Sequence, residues 1–192
     1  MTTKDVQALA QKNKCTMIDL TFVDVPGTLH HTSKPMHELA GIMDEGAGFD
    51  GSSIRGFQQI HESDMLLFPD PNSAVLDPFM AEPTLSMICD VADPLTGKLY
   101  HRSPRTIARK AVEYLKKSGV ADTAYFGPEA EFFIFDHVSF DSSAGSASYR
   151  VDSEEATWNT GTQNGESPNL GYKIRHKEGY FPACPHDKQQ DI

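Results

Sequence analysis

The sequence predicts an α+β fold, because strand-like and helix-like patterns occupy different parts of the chain. Most of the first hundred residues carry short apolar runs that Pro and Gly interrupt, which is typical of β structure. A long amphipathic helix pattern follows at residues 103–119. With 192 residues, of which 39% are hydrophobic, the chain can bury a real core. We expect a β-rich first domain over residues 1–103 and a second domain over residues 104–192.

Charge, hydropathy and cysteine content disfavour several classes of protein. The formal net charge of −10 disfavours a nucleic-acid partner. No apolar run reaches the roughly 18 residues of a membrane span, and the polar start lacks the apolar core of a signal peptide. We therefore expect a cytoplasmic protein without a membrane partner. The cysteines are odd in number and far apart, which predicts free thiols at Cys15, Cys89 and Cys184.

A short helix and a strand pair are predicted at the start of the chain. Apolar residues repeat at helical spacing within residues 3–13, behind two threonines that can cap a helix. Apolar and polar residues then alternate from Cys15 to Val25, until Pro-Gly predicts a turn. Residues 29–33 are the expected partner strand, and a second strand is expected at residues 85–91. Because His30 and His31 would face opposite sides of a strand, we interpret them as structural.

The glycine-rich segment GAGFDGSSIRG, residues 46–56, is predicted to be an irregular loop. Asp50 and the hydroxyl groups of Ser52 and Ser53 lie in it, close to Arg55. Such a loop could bind a cation or a polar substrate, and a plain surface turn is the alternative. The sequence contains no P-loop, HExxH or GxSxG motif.

The helix pattern at residues 103–119 has clear start and stop signals. Ser103 can cap it, Pro104 suits its first position and Gly119 suits its end. An apolar stripe is predicted to pack against the sheet that carries Glu129 and Glu131, and it consists of Ile107, Ala108, Ala111 and Leu115. A solvated basic face is also predicted, with an anion site as the alternative, and it consists of Arg105, Arg109, Lys116 and Lys117.

Two glutamates separated by one residue lie in the segment GPEAEFFIFD. Strands are predicted over Thr123–Phe126 and Glu129–Phe135, so Glu129 and Glu131 would project from one face. Their charges would be costly to bury among aromatic neighbours unless a cation offset the desolvation. Mg²⁺ or Mn²⁺ suits such oxygen ligands, and a sheet edge with two solvated glutamates is the alternative.

Three segments together resemble the type I bacterial glutamine synthetases. They are FDGSSIRGFQQIHESDMLLFPDP at residues 49–71, TAYFGPEAEFFIFD at 123–136 and GYFPACPHD at 179–187. The resemblance implies a small β-grasp-like amino-terminal domain followed by the beginning of the catalytic domain. It implies ligation of ammonia to glutamate through γ-glutamyl phosphate, with ATP as co-substrate and two Mg²⁺ or Mn²⁺ ions per complete site. It also implies a homododecamer.

The same resemblance implies roles for four residues. Glu131 corresponds to a ligand of the tighter metal, which orders glutamate, and Glu129 to a ligand of the second metal, which binds nucleotide phosphates. Asp50 and Ser53 correspond to residues of a loop that enters the neighbouring subunit's site. There Asp50 would hold ammonium and accept its proton, and Ser53 would support the loop.

The family is more than twice as long as this chain, and most of its site residues would lie beyond Ile192. We therefore expect an incomplete copy of a synthetase that cannot make glutamine on its own. The alternative is a non-catalytic relative that joins the rings of a full-length synthetase.

Overall fold

The computed structural model describes residues 1–132, 135 and 137–152, and the backbone of residues 163–164 and 167–168. The chain forms two compact units, Met1–Phe126 and Gly127–Ile192. These compact units do not test the predicted domain boundary after residue 103, which stays a prediction. Among the described residues, no helix is long and apolar enough to cross a membrane.

The first unit is built on a mixed six-stranded sheet. Its strands are β1 (Met17–Val23), β2 (Leu29–Pro35), β3 (Ala47–Asp50), β4 (Asp64–Pro69), β5 (Val75–Leu76) and β6 (Thr84–Ala92). The strand order is β2-β1-β6-β4-β3, and β5 also pairs with β6. β1 and β6 are parallel, whereas the other pairs are antiparallel. The predicted β-rich start and the α+β class are confirmed.

The helices of this unit are α1 (Thr3–Lys12), α2 (Leu39–Glu45) and α3 (Pro104–Ser118). Thr2 caps α1 as predicted: the Asp5 amide donates to the Thr2 hydroxyl at 3.3 Å. In return, the Thr2 amide donates to the Asp5 carboxylate at 2.7 Å. Asn13 ends the helix, also as predicted.

The hydrophobic core includes residues of α1 and α2 and the alternate residues of β1, β4 and β6. Val6 of α1, Leu20 of β1 and Leu85 of β6 have no exposed surface. Cys15 and Cys89 are buried free thiols, as predicted, and Cys184 lies outside the described residues. Burial raises the pKa of Cys89 to about 12, so this thiol stays protonated at neutral pH.

The two histidines of β2 each pair with a buried aspartate. His30 Nε2 lies 2.9 Å from Asp24 Oδ2, and His31 Nδ1 lies 2.8 Å from Asp19 Oδ1. The His30 ring stacks on Phe22, with ring centroids 5.5 Å apart. Because both aspartate side chains are only 4% exposed, these pairs satisfy groups that would be costly to bury alone. The structural interpretation of the histidine pair is confirmed.

Helix α3 has the predicted ends but presents another face to the sheet. It begins at Pro104 and ends at Gly119, whose φ of +72° forms a left-handed cap. Ser103 occupies the cap position, yet its side chain makes no capping hydrogen bond. Ala111 is exposed and Ile107 is 52% exposed, and Glu129 and Glu131 do not lie on a strand. The prediction that the apolar stripe packs against a sheet carrying these glutamates is therefore wrong.

A cluster of two arginines and two aspartates joins α3 to the sheet instead. The carboxylate of Asp90 in β6 pairs with both arginines: Arg105 Nε lies 2.9 Å from Oδ1, and Arg109 Nη2 lies 2.6 Å from Oδ2. Arg105 also pairs with Asp70, which follows β4. The side chains of Arg105 and Arg109 are 29% and 44% exposed, so the predicted solvated face is confirmed in part. Because two aspartates of the sheet already pair with these arginines, the alternative of an anion site at this pair is not supported.

The second unit contains a hairpin of β7 (His137–Ser142) and β8 (Ala147–Asp152). Two short strands, β9 (Gln163–Asn164) and β10 (Ser167–Pro168), also pair. Residues 123–132 have no regular secondary structure, so the strand predicted over Thr123–Phe126 is wrong. The described part of the predicted strand Glu129–Phe135 is also not a strand, while Phe133 and Ile134 lie outside the described residues. No described strand pairs with residues 123–132, so this segment has no partner with which to form a ladder.

The pairing of Asp24 predicts a dependence of stability on pH. Interaction with His30, followed by the amide of Thr28, holds the pKa of the Asp24 carboxyl below its ordinary value of 3.8. A lowered pKa stabilises the fold above the ordinary value, and this contribution is lost as the pH falls through the lowered one. We expect Asp24→Asn to be less stable than the parent at pH 7 and to lose less stability on acidification.

Urea midpoints measured from pH 7 down to pH 2 check this expectation. Asp44→Asn, which changes an exposed aspartate of α2, serves as the control. Parallel pH profiles for the parent and Asp24→Asn would contradict the assignment.

The arginine–aspartate cluster predicts that Asp90→Ala lowers the free energy of unfolding. Removing one partner of a fully buried pair costs about 3–5 kcal/mol. Because the side chains of Arg105 and Arg109 stay 29% and 44% exposed, we expect about 1–3 kcal/mol here. Urea denaturation at low and high salt checks the value, and the loss should shrink with salt. A loss no larger than that of Asp44→Ala would contradict the role of the cluster.

Candidate functional site

The glycine-rich segment is more regular than predicted. Residues 47–50 form β3, which pairs with β4 so that Asp50 lies opposite Asp64. A 3-10 turn, Gly51–Ser53, follows directly. The prediction of a wholly irregular loop is therefore wrong at its start, because pairing with β4 outweighs the weak strand propensity of the glycines.

Asp50 lies at the end of β3 with its carboxylate exposed and held by its neighbours. The Ser52 amide donates to Oδ1 at 2.8 Å, and the Ser52 hydroxyl donates to the same oxygen at 2.6 Å. The Ser53 hydroxyl donates to Oδ2 at 3.1 Å. These hydrogen bonds, led by that of the Ser52 hydroxyl, hold the pKa of Asp50 below its ordinary value. At neutral pH the loop thus presents an oriented negative charge to solvent.

The structure brings together Asp50, Ser52 and Ser53, of which the resemblance singled out only the first and the last. Ser52 makes the two shorter hydrogen bonds to the carboxylate. The order Asp-Gly-Ser carries a local signal for this contact, because an aspartate side chain readily accepts from the amide two residues later.

A close backbone contact fixes the near end of the loop. The Gly51 amide donates to the Ser63 carbonyl at 2.7 Å. A Cβ atom at Gly51 would overlap Met65 Sδ and would lie 2.8 Å from Met65 Cγ, and Met65 is almost completely buried. The residue after Asp50 is therefore a glycine because a side chain would displace part of the core.

The far end of the loop is held by residues that come much later in the chain. Phe57 is 3% exposed, and its ring lies against that of Tyr100 with centroids 5.1 Å apart. Its carbonyl accepts hydrogen bonds from the Tyr100 hydroxyl at 2.9 Å and from Arg102 Nη1 at 3.2 Å. Arg102 Nη1 also donates to the Gly56 carbonyl at 3.3 Å. The sequence carries no local signal for Tyr100 and Arg102, because these partners lie 43 and 45 positions after Phe57.

Glu129 and Glu131 lie in the second compact unit, on the irregular segment 123–132. Both are exposed. Because this segment is not a strand, its backbone does not require the two side chains to project from one face. Their carboxylates remain suitable oxygen donors for Mg²⁺ or Mn²⁺. Within the described part of the chain, no three or more His, Cys, Asp or Glu side chains form a group that could hold a metal ion.

Comparison with protein families shows to which family the chain belongs, including the Asp50 loop and the segment that carries Glu129 and Glu131. The family model for the glutamine synthetase β-grasp domain matches residues 14–94, and that for the glutamine synthetase catalytic domain matches residues 101–192. This chain belongs to the glutamine synthetase family. The β-grasp-like fold expected for the first domain is thereby confirmed.

Curated relatives match the chain along its whole length. The glutamine synthetase of Microchaete diplosiphon is 53% identical over 192 residues, covering 100% of this chain and 40% of that protein. The glutamine synthetase of Mycobacterium tuberculosis is 53% identical over 194 residues, covering 100% of this chain and 41% of that protein. The chain thus spans about 40% of the length of these relatives.

A solved structure supports the fold. The cryo-EM structure of Plasmodium falciparum glutamine synthetase matches with a TM-score of 0.70 at 22% identity, covering 100% of this chain and 38% of that chain. At this identity the likeness concerns the fold alone.

The loop geometry predicts that Gly56→Ala destabilises the first unit. Gly56 has a φ of +83°, and an added Cβ would meet Val25 at 3.3 Å. A side chain in the left-handed region costs roughly 1–3 kcal/mol. Gly48→Ala is the matched control, because that position lies in the same segment with open space around it. Urea denaturation of both variants checks the difference, and equal stability would contradict the strained position.

Proposed function

We propose that this chain acts as the amino-terminal part of a glutamine synthetase, which ligates ammonia to glutamate at the expense of ATP. The observation that supports this most strongly is the 53% identity to glutamine synthetases over the whole chain. In the proposed reaction, the γ-phosphoryl group of ATP moves to the γ-carboxylate of glutamate and ADP leaves. The nitrogen of ammonia then attacks the γ-carbonyl carbon, phosphate leaves, and a proton is lost from nitrogen.

Asp50 is the residue that we assign to the ammonium ion. An exposed carboxylate with a lowered pKa carries a full negative charge at neutral pH, and it attracts a small cation. The same lowered pKa makes Asp50 a weaker base, since a general base works best with a pKa near the working pH. We therefore assign it first the task of holding ammonium, and proton removal as the second task.

Ser53 has a supporting role in this proposal. Its hydroxyl donates to one carboxylate oxygen of Asp50 while Ser52 donates to the other, so each oxygen has a fixed partner. An oriented carboxylate loses less entropy when it binds a cation than a free one does. Ser52 therefore joins Asp50 and Ser53 in the proposed site.

Glu129 and Glu131 would hold the metal ions, Glu131 on the glutamate side and Glu129 on the nucleotide side. When bound, Mg²⁺ or Mn²⁺ would neutralise the charge of the phosphates during phosphoryl transfer. Both carboxylates are exposed, so a metal ion can reach them from solvent. Two carboxylates leave most of the coordination sphere of either ion to water and substrate oxygens.

The remaining parts of the proposal follow from membership of the family. We propose glutamate, ammonia and ATP as substrates, a cytoplasmic location, and a homododecamer in which the Asp50 loop enters the site of a neighbouring subunit. The second candidate, a non-catalytic relative that joins full-length rings, has no observation of its own in its favour.

Activity assays test the proposal with two proteins. One is the 192-residue chain, and the other is a hybrid in which this chain replaces the matching part of the M. tuberculosis relative. We expect ATP-dependent γ-glutamyl hydroxamate formation from the hybrid with Mg²⁺ or Mn²⁺, and none from the chain alone. In glutamine synthesis by the hybrid, Asp50→Asn should raise the KM for ammonium about tenfold or more, because the ion loses a charged partner.

Asp44→Asn in the hybrid is the control, since it removes an exposed charge outside the loop. An unchanged ammonium KM in Asp50→Asn would refute the role of Asp50. The opposite result for the 192-residue chain alone is product formation that Glu131→Ala abolishes. This result would refute the expectation that the chain needs the rest of a synthetase for turnover.

A further inference from the structure

The loop that carries Asp50 is attached to the sheet at one end, and at the other end the carbonyls of Gly56 and Phe57 accept hydrogen bonds from residues later in the chain. At its near end, β3 pairs with β4 and the Gly51 amide donates to the Ser63 carbonyl. At its far end, the Phe57 carbonyl accepts from Tyr100 and Arg102. Within the loop, the amides of Ile54 and Gln58 both donate to the Gly51 carbonyl, which links the two ends.

Tyr100 is well placed to act as a fixed support. It is 4% exposed, and its own amide donates to the Val91 carbonyl of β6 at 2.7 Å. Burial raises the pKa of its hydroxyl, so the hydroxyl remains a hydrogen-bond donor at neutral pH. Tyr100 thus connects the loop to the central strand of the sheet.

Arg102 also holds the far end of the loop, from the solvent side. Its guanidinium group donates to two consecutive carbonyls, those of Gly56 and Phe57. Hydrogen bonds from a charged donor are stronger than those from a neutral one. The first of these carbonyls belongs to Gly56, which adopts a left-handed conformation with a φ of +83°.

We propose that Tyr100 and Arg102 are positioning residues that hold the Asp50 loop in the shape in which Ser52 and Ser53 orient its carboxylate. The catalytic meaning of this support rests on the proposed function, whereas the support itself does not. The two residues lie in the segment between β6 and α3, where the two matched family domains meet. Tyr100 lies just before the matched catalytic domain, which begins at residue 101, and Arg102 lies at its start. Residues at the junction of the two matched domains thus set the orientation of a candidate site residue of the first.

Amide hydrogen exchange and carboxyl titration by NMR test the proposal on the 192-residue chain. The variants are Tyr100→Phe, which keeps the ring and removes the hydroxyl, and Arg102→Gln. We expect the amides of Ser52 and Phe57 to exchange roughly fivefold faster or more, the effect of losing one hydrogen bond. The Asp50 pKa should rise toward its ordinary value. The amides of Leu20 and Leu67 in the core should exchange at the parent rate.

Matched controls separate support of the loop from general destabilisation. Tyr114→Phe removes the hydroxyl of a tyrosine that is 75% exposed on α3, and it should change neither readout. Arg102→Lys restores a charged donor and should recover part of the effect of Arg102→Gln. If Tyr100→Phe does not fold, the two variants of Arg102 decide the matter.

Two results would overturn the proposal. One is parent-like exchange of Ser52 and Phe57 together with an unchanged Asp50 pKa. The other is equal acceleration of loop and core amides, which would mean that the two residues support the whole unit and not the loop. Neither measurement involves catalysis, so failure of the ammonium assay with Asp50→Asn would leave this result standing, and the reverse also holds.

Discussion

The parallel pairing of β1 with β6 is the interaction on which the rest of the first unit depends. It joins Met17 to Thr84 and Thr21 to Ile88, residues that are far apart in the chain, so closing this loop costs considerable entropy. Burial of Ile18 and Leu20 beside Leu85 and Met87 offsets that cost, because all four side chains leave water completely. Once β6 lies beside β1, its other edge can pair with β4, and β4 in turn can pair with β3.

β6 therefore determines where the candidate site residues of the first unit lie. Through β4 and β3 it places Asp50 at the end of an edge strand. Through the carbonyl of Val91 it holds Tyr100, which supports the far end of the Asp50 loop. Through Asp90 it binds two arginines of α3. One buried strand thus connects the Asp50 loop to the helix near the start of the second family domain.

The elements predicted well are those whose signals are local. The capped helix α1, the strand pair with its Pro-Gly turn, strand β6 and the ends of α3 all follow from periodicity, caps and turn residues within a few positions. The elements predicted wrongly depend on distant partners. β3 forms in a glycine-rich segment because β4 is beside it, whereas residues 123–132 alternate like a strand but have no described partner. Helix α3 also depends on distant partners. Its apolar stripe is clear in the sequence, but the face that contacts the sheet is the one whose arginines pair with Asp70 and Asp90.

The sequence by itself determined the family and the immediate surroundings of Asp50, because Ser52 and Ser53 reach its carboxylate from two and three positions away. Only the tertiary structure decided how that loop is held, which face of α3 meets the sheet and that Glu129 and Glu131 lie on an irregular segment. The physical reason is the range of the interactions. A turn closes over neighbouring residues whose types can be read directly, whereas the Phe57 carbonyl finds its donors 43 and 45 residues later, after the sheet has formed.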